Sequence, residues 1–161
     1  MLLFDRRTLL ILPLVLAACG FTPVYAPGGT AAALRGQVAV EAPGNPDDFL
    51  LVRELETRFG RGGARFGLAF DLNVGAEGLA VTRTGDVTRF NLVGKVDYVL
   101  TDLVTDQVVT QGSVNNFTGY SDTGSTVETL AAERDARTRL MRMLADQITT
   151  QLYAQADLPA S

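Results

Sequence analysis

The chain has 161 residues, a formal net charge of −4 and no histidine. An acidic balance with no basic stripe excludes the electrostatic footprint of a nucleic-acid binder. The missing histidine removes Ser-His-Asp and Cys-His nucleophilic machinery and the commonest metal ligand, and the one cysteine cannot build a thiolate zinc cluster.

The chain opens MLLFDRRTLLILPLVLAACG. Arg6 and Arg7 give a positive start, and residues 9–18 are apolar apart from the break at Pro13. That run is shorter than the roughly 20 residues of a membrane-spanning helix and fits a secretory signal peptide. Leu16-Ala17-Ala18-Cys19 resembles the lipobox of bacterial lipoproteins. There, cleavage falls before the cysteine, whose thiol takes a diacylglyceryl group, and the new amino terminus receives an acyl chain such as palmitate. An exported thiol normally finds a partner, and Cys19 has no other cysteine to pair with. Three acyl chains exceed the roughly two signals that stable anchoring needs. Gly20 stands where an Asp would favour the inner membrane, which points to the outer one. Residues 1–18 are therefore read as a leader, exported by the ordinary Sec route or, on Arg6-Arg7, the twin-arginine one, with lipid anchoring at Cys19 on the periplasmic side of the outer membrane. Losing Asp5, Arg6 and Arg7 makes the remainder one unit more negative than the whole.

Residues 19–34 are rich in Pro, Gly and Ala and lack periodicity, as in a flexible tether. Phe21, Val24 and Tyr25 add hydrophobic groups for which a bare linker has no use. Residues 35–42 alternate weakly around Val38 and Val40, a first short strand. A helix over about 46–59 follows. Asn45 caps it, Pro46 suits its first position, Asp47 and Asp48 favour its positive end, and Gly60 stops it. Val52, Leu55 and Phe59 recur at helical spacing.

The period then changes to two. Phe66, Leu68, Phe70, Leu72 and Val74 form one apolar strand face, with an interruption expected at residues 76–78. Phe90, Leu92, Gly94, Val96, Tyr98 and Leu100 form the next. After a turn at Thr105-Asp106-Gln107, residues 108–117 make a third strand of the series. Ser125 to Glu128 matches a capping box. It opens a long helix, to about Tyr153, with Leu140, Leu144, Ile148 and Leu152 four apart. The order β-α-β-β-β-α predicts an α+β fold: a mostly antiparallel sheet of about four strands with two helices on one face. Residues 35–155 form one domain and 156–161 a C-terminal tail.

Residues 60–67, GRGGARFG, lack the G-K-[ST] ending of a phosphate loop and follow a helix where such a loop precedes one. They read as a helix stop. Asp97 and Asp102 are five apart on or near one strand, so they face opposite sides rather than forming an acid/base pair. Asp102 and Asp106 bracket a turn, where acidic residues are common. Arg134, Arg137 and Arg139 with Glu133 and Asp135 read as surface ion pairs. The remaining cations are Arg83, Arg89 and Lys95. Arg89 and Lys95 share a strand face opposite Phe90 and Leu92, and such a face either meets phosphate groups or is simply solvated.

CGFTPVY, TRFNLVGKVDYVLTD, the GYSDTGSTVETLAAERDA segment and the helix ending LADQITTQLYA together resemble the alphaproteobacterial type of the LPS-assembly lipoprotein family LptE. The resemblance covers nearly all of residues 19–161. It implies a non-enzymatic outer-membrane lipoprotein with no cofactor and no metal. Its partner would be an LptD-type β-barrel, which it plugs and whose assembly it supports while lipopolysaccharide passes to the outer leaflet. Arg83, Arg89 and Lys95 would then be candidate contacts for lipopolysaccharide or the barrel. Two other classes stay open on the residues alone. One is another outer-membrane lipoprotein adaptor, such as a barrel-assembly accessory or structural envelope protein. The other is a small enzyme working through carboxylates.

Overall fold

The computed structural model describes residues 29–81, 87–122, 125–156 and 158. The expected leader and Cys19, the expected lipidation site, lie outside them. The elements are helix α1 (Thr30–Leu34), strand β1 (Val38–Val40), helix α2 (Pro46–Phe59), strands β2 (Phe66–Val81), β3 (Val87–Asp102) and β4 (Gln107–Ser121), and helix α3 (Thr126–Gln155). The strands form one sheet in the order β1-β2-β3-β4. The architecture is α+β, as the sequence predicts. The sheet is mixed, because β1 lies parallel to β2 with Val38 opposite Phe66. Helix α2 intervenes and returns the chain to the starting end before β2 begins, which is what a parallel pair requires. Strands β2, β3 and β4 make an antiparallel meander.

Local chemistry accounts for α2. The Asn45 side chain accepts hydrogen bonds from the N–H groups of Asp47 and Asp48 at 2.9 and 3.0 Å. Pro46 occupies the first turn, and Gly60, at φ 87°, ends the helix. Leu51, Val52, Leu55 and Phe59 are buried. The glycine-rich stretch that follows is a crossing point rather than a ligand cradle. A Cβ on Gly63 would come 2.3 Å from the backbone of Gln37 and Val38.

Three expectations are corrected. The final residues of the span read as a tether form α1, whose Ala31 and Leu34 are buried. So short a helix has no stability of its own and is held by that burial. The interruption at residues 76–78 does not end β2. Glu77 stays paired with Asn91, and the irregularity is confined to register shifts beyond Gly78. The continuous ladder offered by β3 overrides weak local strand propensity. At the start of α3, Ser125 is the N-cap residue, but its side chain makes no capping hydrogen bond, so the capping box is not closed.

Helix α3 lies across β3 and β4 and packs against α2. Leu140, Leu144, Ile148 and Leu152 are fully buried over Leu92, Val96 and Leu100 of the sheet. The approach is closest at Gly94, where an added Cβ would stand 2.8 Å from Leu144 Cδ1. Both long helices therefore cover the same face of the sheet, and the other face is left open.

Candidate interaction surface

Strand alternation sorts the sheet residues into two sets. On β3, Leu92, Val96, Tyr98 and Leu100 are buried beneath the helices. The odd-numbered residues face the open side: Arg89, Asn91, Lys95 and Asp97, with Asp71, Asn73 and Glu77 beside them on β2 and Ser113, Asn115 and Phe117 on β4.

Lys95 Nζ lies 2.7 Å from Asp97 Oδ2. That bond, followed by one from Ser113, holds the Asp97 carboxyl below its ordinary range. Asp97 stands directly opposite Asp71 across the strands, an arrangement that costs stability unless cations sit nearby. Lys95 supplies one. Arg89 pairs in register with Ser121. Arg89 and Lys95 are on one face, but six strand residues span about 20 Å. The fold does not bring them together on a single phosphate, so they are two separate points of positive charge. Arg83 lies outside the described residues.

Asp102 is on the other side of the strand and is buried. Its Oδ1 accepts hydrogen bonds from the N–H groups of Val104 at 2.9 Å and Thr105 at 3.3 Å, and Arg65 Nε lies 3.6 Å from Oδ2. These contacts, led by the Val104 bond, lower its pKa. Asp102 organises the β3–β4 turn, in which Asp106 takes a positive φ of 57°. Asp97 and Asp102 share no site.

Arg137 and Arg139 of α3 are tied into ion pairs within the helical layer. Arg137 bonds Glu133 at 2.9 Å and reaches Asp47 of α2 at 2.6 Å, and Arg139 pairs with Asp135. Among the described residues, no group of His, Cys, Asp and Glu is arranged to hold a metal ion, and no helix is long and apolar enough to cross a membrane.

The open face is shallowly concave. A depression of about 640 Å³ lies over Phe70, Asp71, Asp97 and Gln111, and one of about 400 Å³ lies over Asn91, Val93, Asn115 and Phe117. Sequence reasoning missed the apolar decoration of this surface. Phe117 is 63% exposed, and at the β3–β4 tip Leu103, Val104 and Val108 are 54%, 79% and 59% exposed. The available signal was hydrophobic residues at the polar phase of the alternation and flanking a turn. The surface is thus polar and rich in amides, with exposed apolar groups at Phe117 and at the β3–β4 tip.

The LptE family model, described as lipopolysaccharide-assembly, matches residues 36–152. Among solved structures, the chain is similar to a lipoprotein from Caulobacter crescentus CB15, at 20% identity and TM-score 0.65, covering 78% of this chain and 93% of that one. It is also similar to a minor lipoprotein from Acinetobacter baumannii, at 18% identity and TM-score 0.57, covering 77% and 97%. A third is lipoprotein B from Nitrosomonas europaea, at 19% identity and TM-score 0.55, covering 73% and 82%. At such identities these likenesses establish a shared fold. No curated protein sequence matches the chain. The family match spans β1 through nearly the whole of α3, and on it the chain belongs to the LptE family of lipopolysaccharide-assembly proteins.

Proposed function

We propose that this protein is a non-enzymatic lipoprotein, anchored by lipid on Cys19 at the periplasmic side of the outer membrane, that partners and plugs an LptD-type β-barrel. In that role it supports barrel assembly and the passage of lipopolysaccharide to the outer leaflet. The observation that carries this reading is the family match across residues 36–152, which includes the whole sheet and α2 and most of α3. The two-sided architecture supports it. A plug needs shape and a polar surface that a barrel wall can satisfy, and the open face offers Asn73, Asn91, Asn115 and Ser113 among charges of both signs that nearly cancel. Arg83, Arg89 and Lys95 are the candidate contacts for lipopolysaccharide phosphates or for the barrel. Arginine would act through a bidentate grip and lysine as a point charge.

The test is capture of the tagged full-length protein from its native envelope in mild detergent, with mass spectrometry of the partners and of the N-terminal peptide. A near-stoichiometric barrel of the lipopolysaccharide transport type, and an acylated Cys19, are expected. Recovery of a different envelope complex would replace this reading with that of another outer-membrane adaptor, and an unmodified Cys19 would remove the anchor.

A further inference from the structure

Strand β4 is the edge of the sheet. Its hydrogen-bonding phase follows from one bond just beyond its end, where the Asp122 N–H donates to the Thr88 carbonyl at 3.0 Å. Counting back in twos as far as Thr110, where the register shifts, even-numbered residues of β4 bond β3, and odd-numbered ones direct their N–H and C=O groups away from the sheet. The protein closes two of these outward positions itself. The Phe117 N–H donates to the Asn116 side chain at 2.9 Å, and the Gly119 carbonyl accepts from the Arg139 guanidinium at 3.2 Å. The outward backbone groups of Gln111, Ser113 and Asn115 have no partner among the described residues.

Edges are ordinarily blunted by charge or proline. The 15 residues of β4, QVVTQGSVNNFTGYS, contain neither. Beside the open stretch, a groove of about 440 Å³ runs between Ser113, Asn115 and the α3 residues Asp146, Gln147 and Thr150. The Gln147 Oε1 atom is buried there without a hydrogen-bond partner.

We propose that this edge pairs with a second copy of the same chain, antiparallel, about a two-fold axis at Ser113. Charge selects both the edge and the occupant. On the opposite side β1 covers only residues 66–68 of β2, and the uncovered remainder of β2 carries Asp71 and Glu77, so self-pairing there would bring like charges into proximity. Strand β4 has no charge to repel its copy, and Asp146 beside it is neutralised by Arg58 at 2.6 Å. A two-fold axis at Ser113 sets Gln111 opposite Asn115 of the copy and uses all three open positions in roughly six ladder hydrogen bonds. Carboxamide then meets carboxamide on the open face. The ladder stops where the Phe117 N–H and Gly119 carbonyl are already taken. The contact is isologous and closed, so it yields a dimer rather than a fibre.

The experiment is sedimentation velocity of the full-length protein in mild detergent over a concentration series, alongside Q111K/N115K and Q111E/N115E. The native chain should show a concentration-dependent dimer. Each charged variant should be monomeric with an unchanged circular dichroism spectrum, and an equimolar mixture of the two should recover the dimer. If a charged variant fails to fold, Ser113→Pro serves instead. It removes only an outward N–H and should dissociate the dimer at least tenfold. A native chain that stays monomeric at every concentration overturns the proposal, as does a dimer indifferent to these substitutions. Loss of barrel capture by the charged variants, with a monomeric native chain, would assign the edge to a barrel strand and equally overturn it.

Discussion

Replacing Gly94 tests the closest contact between helix and sheet. A Cβ there would stand 2.8 Å from Leu144 Cδ1 and 3.2 Å from Leu140 Cδ2, inside the about 3.5–4.0 Å of ordinary carbon contact. Both neighbours are the ends of leucine side chains, which can turn aside. Alanine should therefore cost no more than about 1 kcal/mol, since removing glycine from a strand returns about 0.5–1 kcal/mol. Valine adds two γ-methyl groups held in a stiff rotamer, and overpacking should destabilise by about 2–3 kcal/mol. Leu144→Ala by itself opens a cavity worth about 2–5 kcal/mol. In the double variant the valine methyls occupy that cavity, so its loss should fall short of the sum by about 1 kcal/mol or more. Urea unfolding measures each value, and about 3–5 °C in Tm should accompany each kcal/mol. A Gly94→Val protein as stable as the native one, or strict additivity with Leu144→Ala, would refute the close approach.

Three further outcomes follow from named contacts. The Asp102 pKa is depressed below the ordinary 3.8 by the Val104 and Thr105 N–H groups and Arg65, so its stabilisation is present above that value and lost as pH falls through the folded one. Asp102→Asn should be less stable than the native chain near neutrality, with the gap closing on acidification; a gap constant down to strong acid in Tm-versus-pH curves would refute this. Arg58 Nη2 reaches Asp146 at 2.6 Å, with the carboxylate 62% exposed, so a double-mutant cycle of Arg58→Met and Asp146→Asn should give a coupling of only about 0.5–1 kcal/mol. Arg89→Ala should leave urea stability within about 0.5 kcal/mol, Lys95→Ala should cost up to about 1 kcal/mol because it leaves Asp97 facing Asp71 uncompensated, and each should separately lower lipopolysaccharide capture by the purified protein. Capture unchanged in the double variant would remove both from the proposed contact set.

Much of the fold is legible because its signals are local. Asn45, Pro46 and Gly60 mark the ends of α2 within a few residues of chain, and the structure keeps those ends. Alternation from Phe66 and from Phe90 identifies two strands and the buried side of each. The candidate site is only partly legible. Parity places Arg89 and Lys95 on one face, but the engagement of Lys95 by Asp97 and the confrontation of Asp97 with Asp71 depend on side-chain choice and strand register. The apolar tip at Leu103 and Val104 was hidden because hydrophobic residues beside a turn look like strand ends.

What the sequence by itself determined is the set of elements other than α1, with their buried faces, since periods of 2 and 3.6 are carried by neighbouring residues and need no partner. Tertiary structure alone decided which elements meet. The parallel pairing of Val38 with Phe66, the survival of β2 past residues 76–78, the docking of α1 through Leu34 and the open Gln111–Ser113–Asn115 edge all depend on groups distant in sequence. Hydrogen-bond ladders and side-chain burial reward those contacts only once the chain has closed, and no local pattern records them in advance.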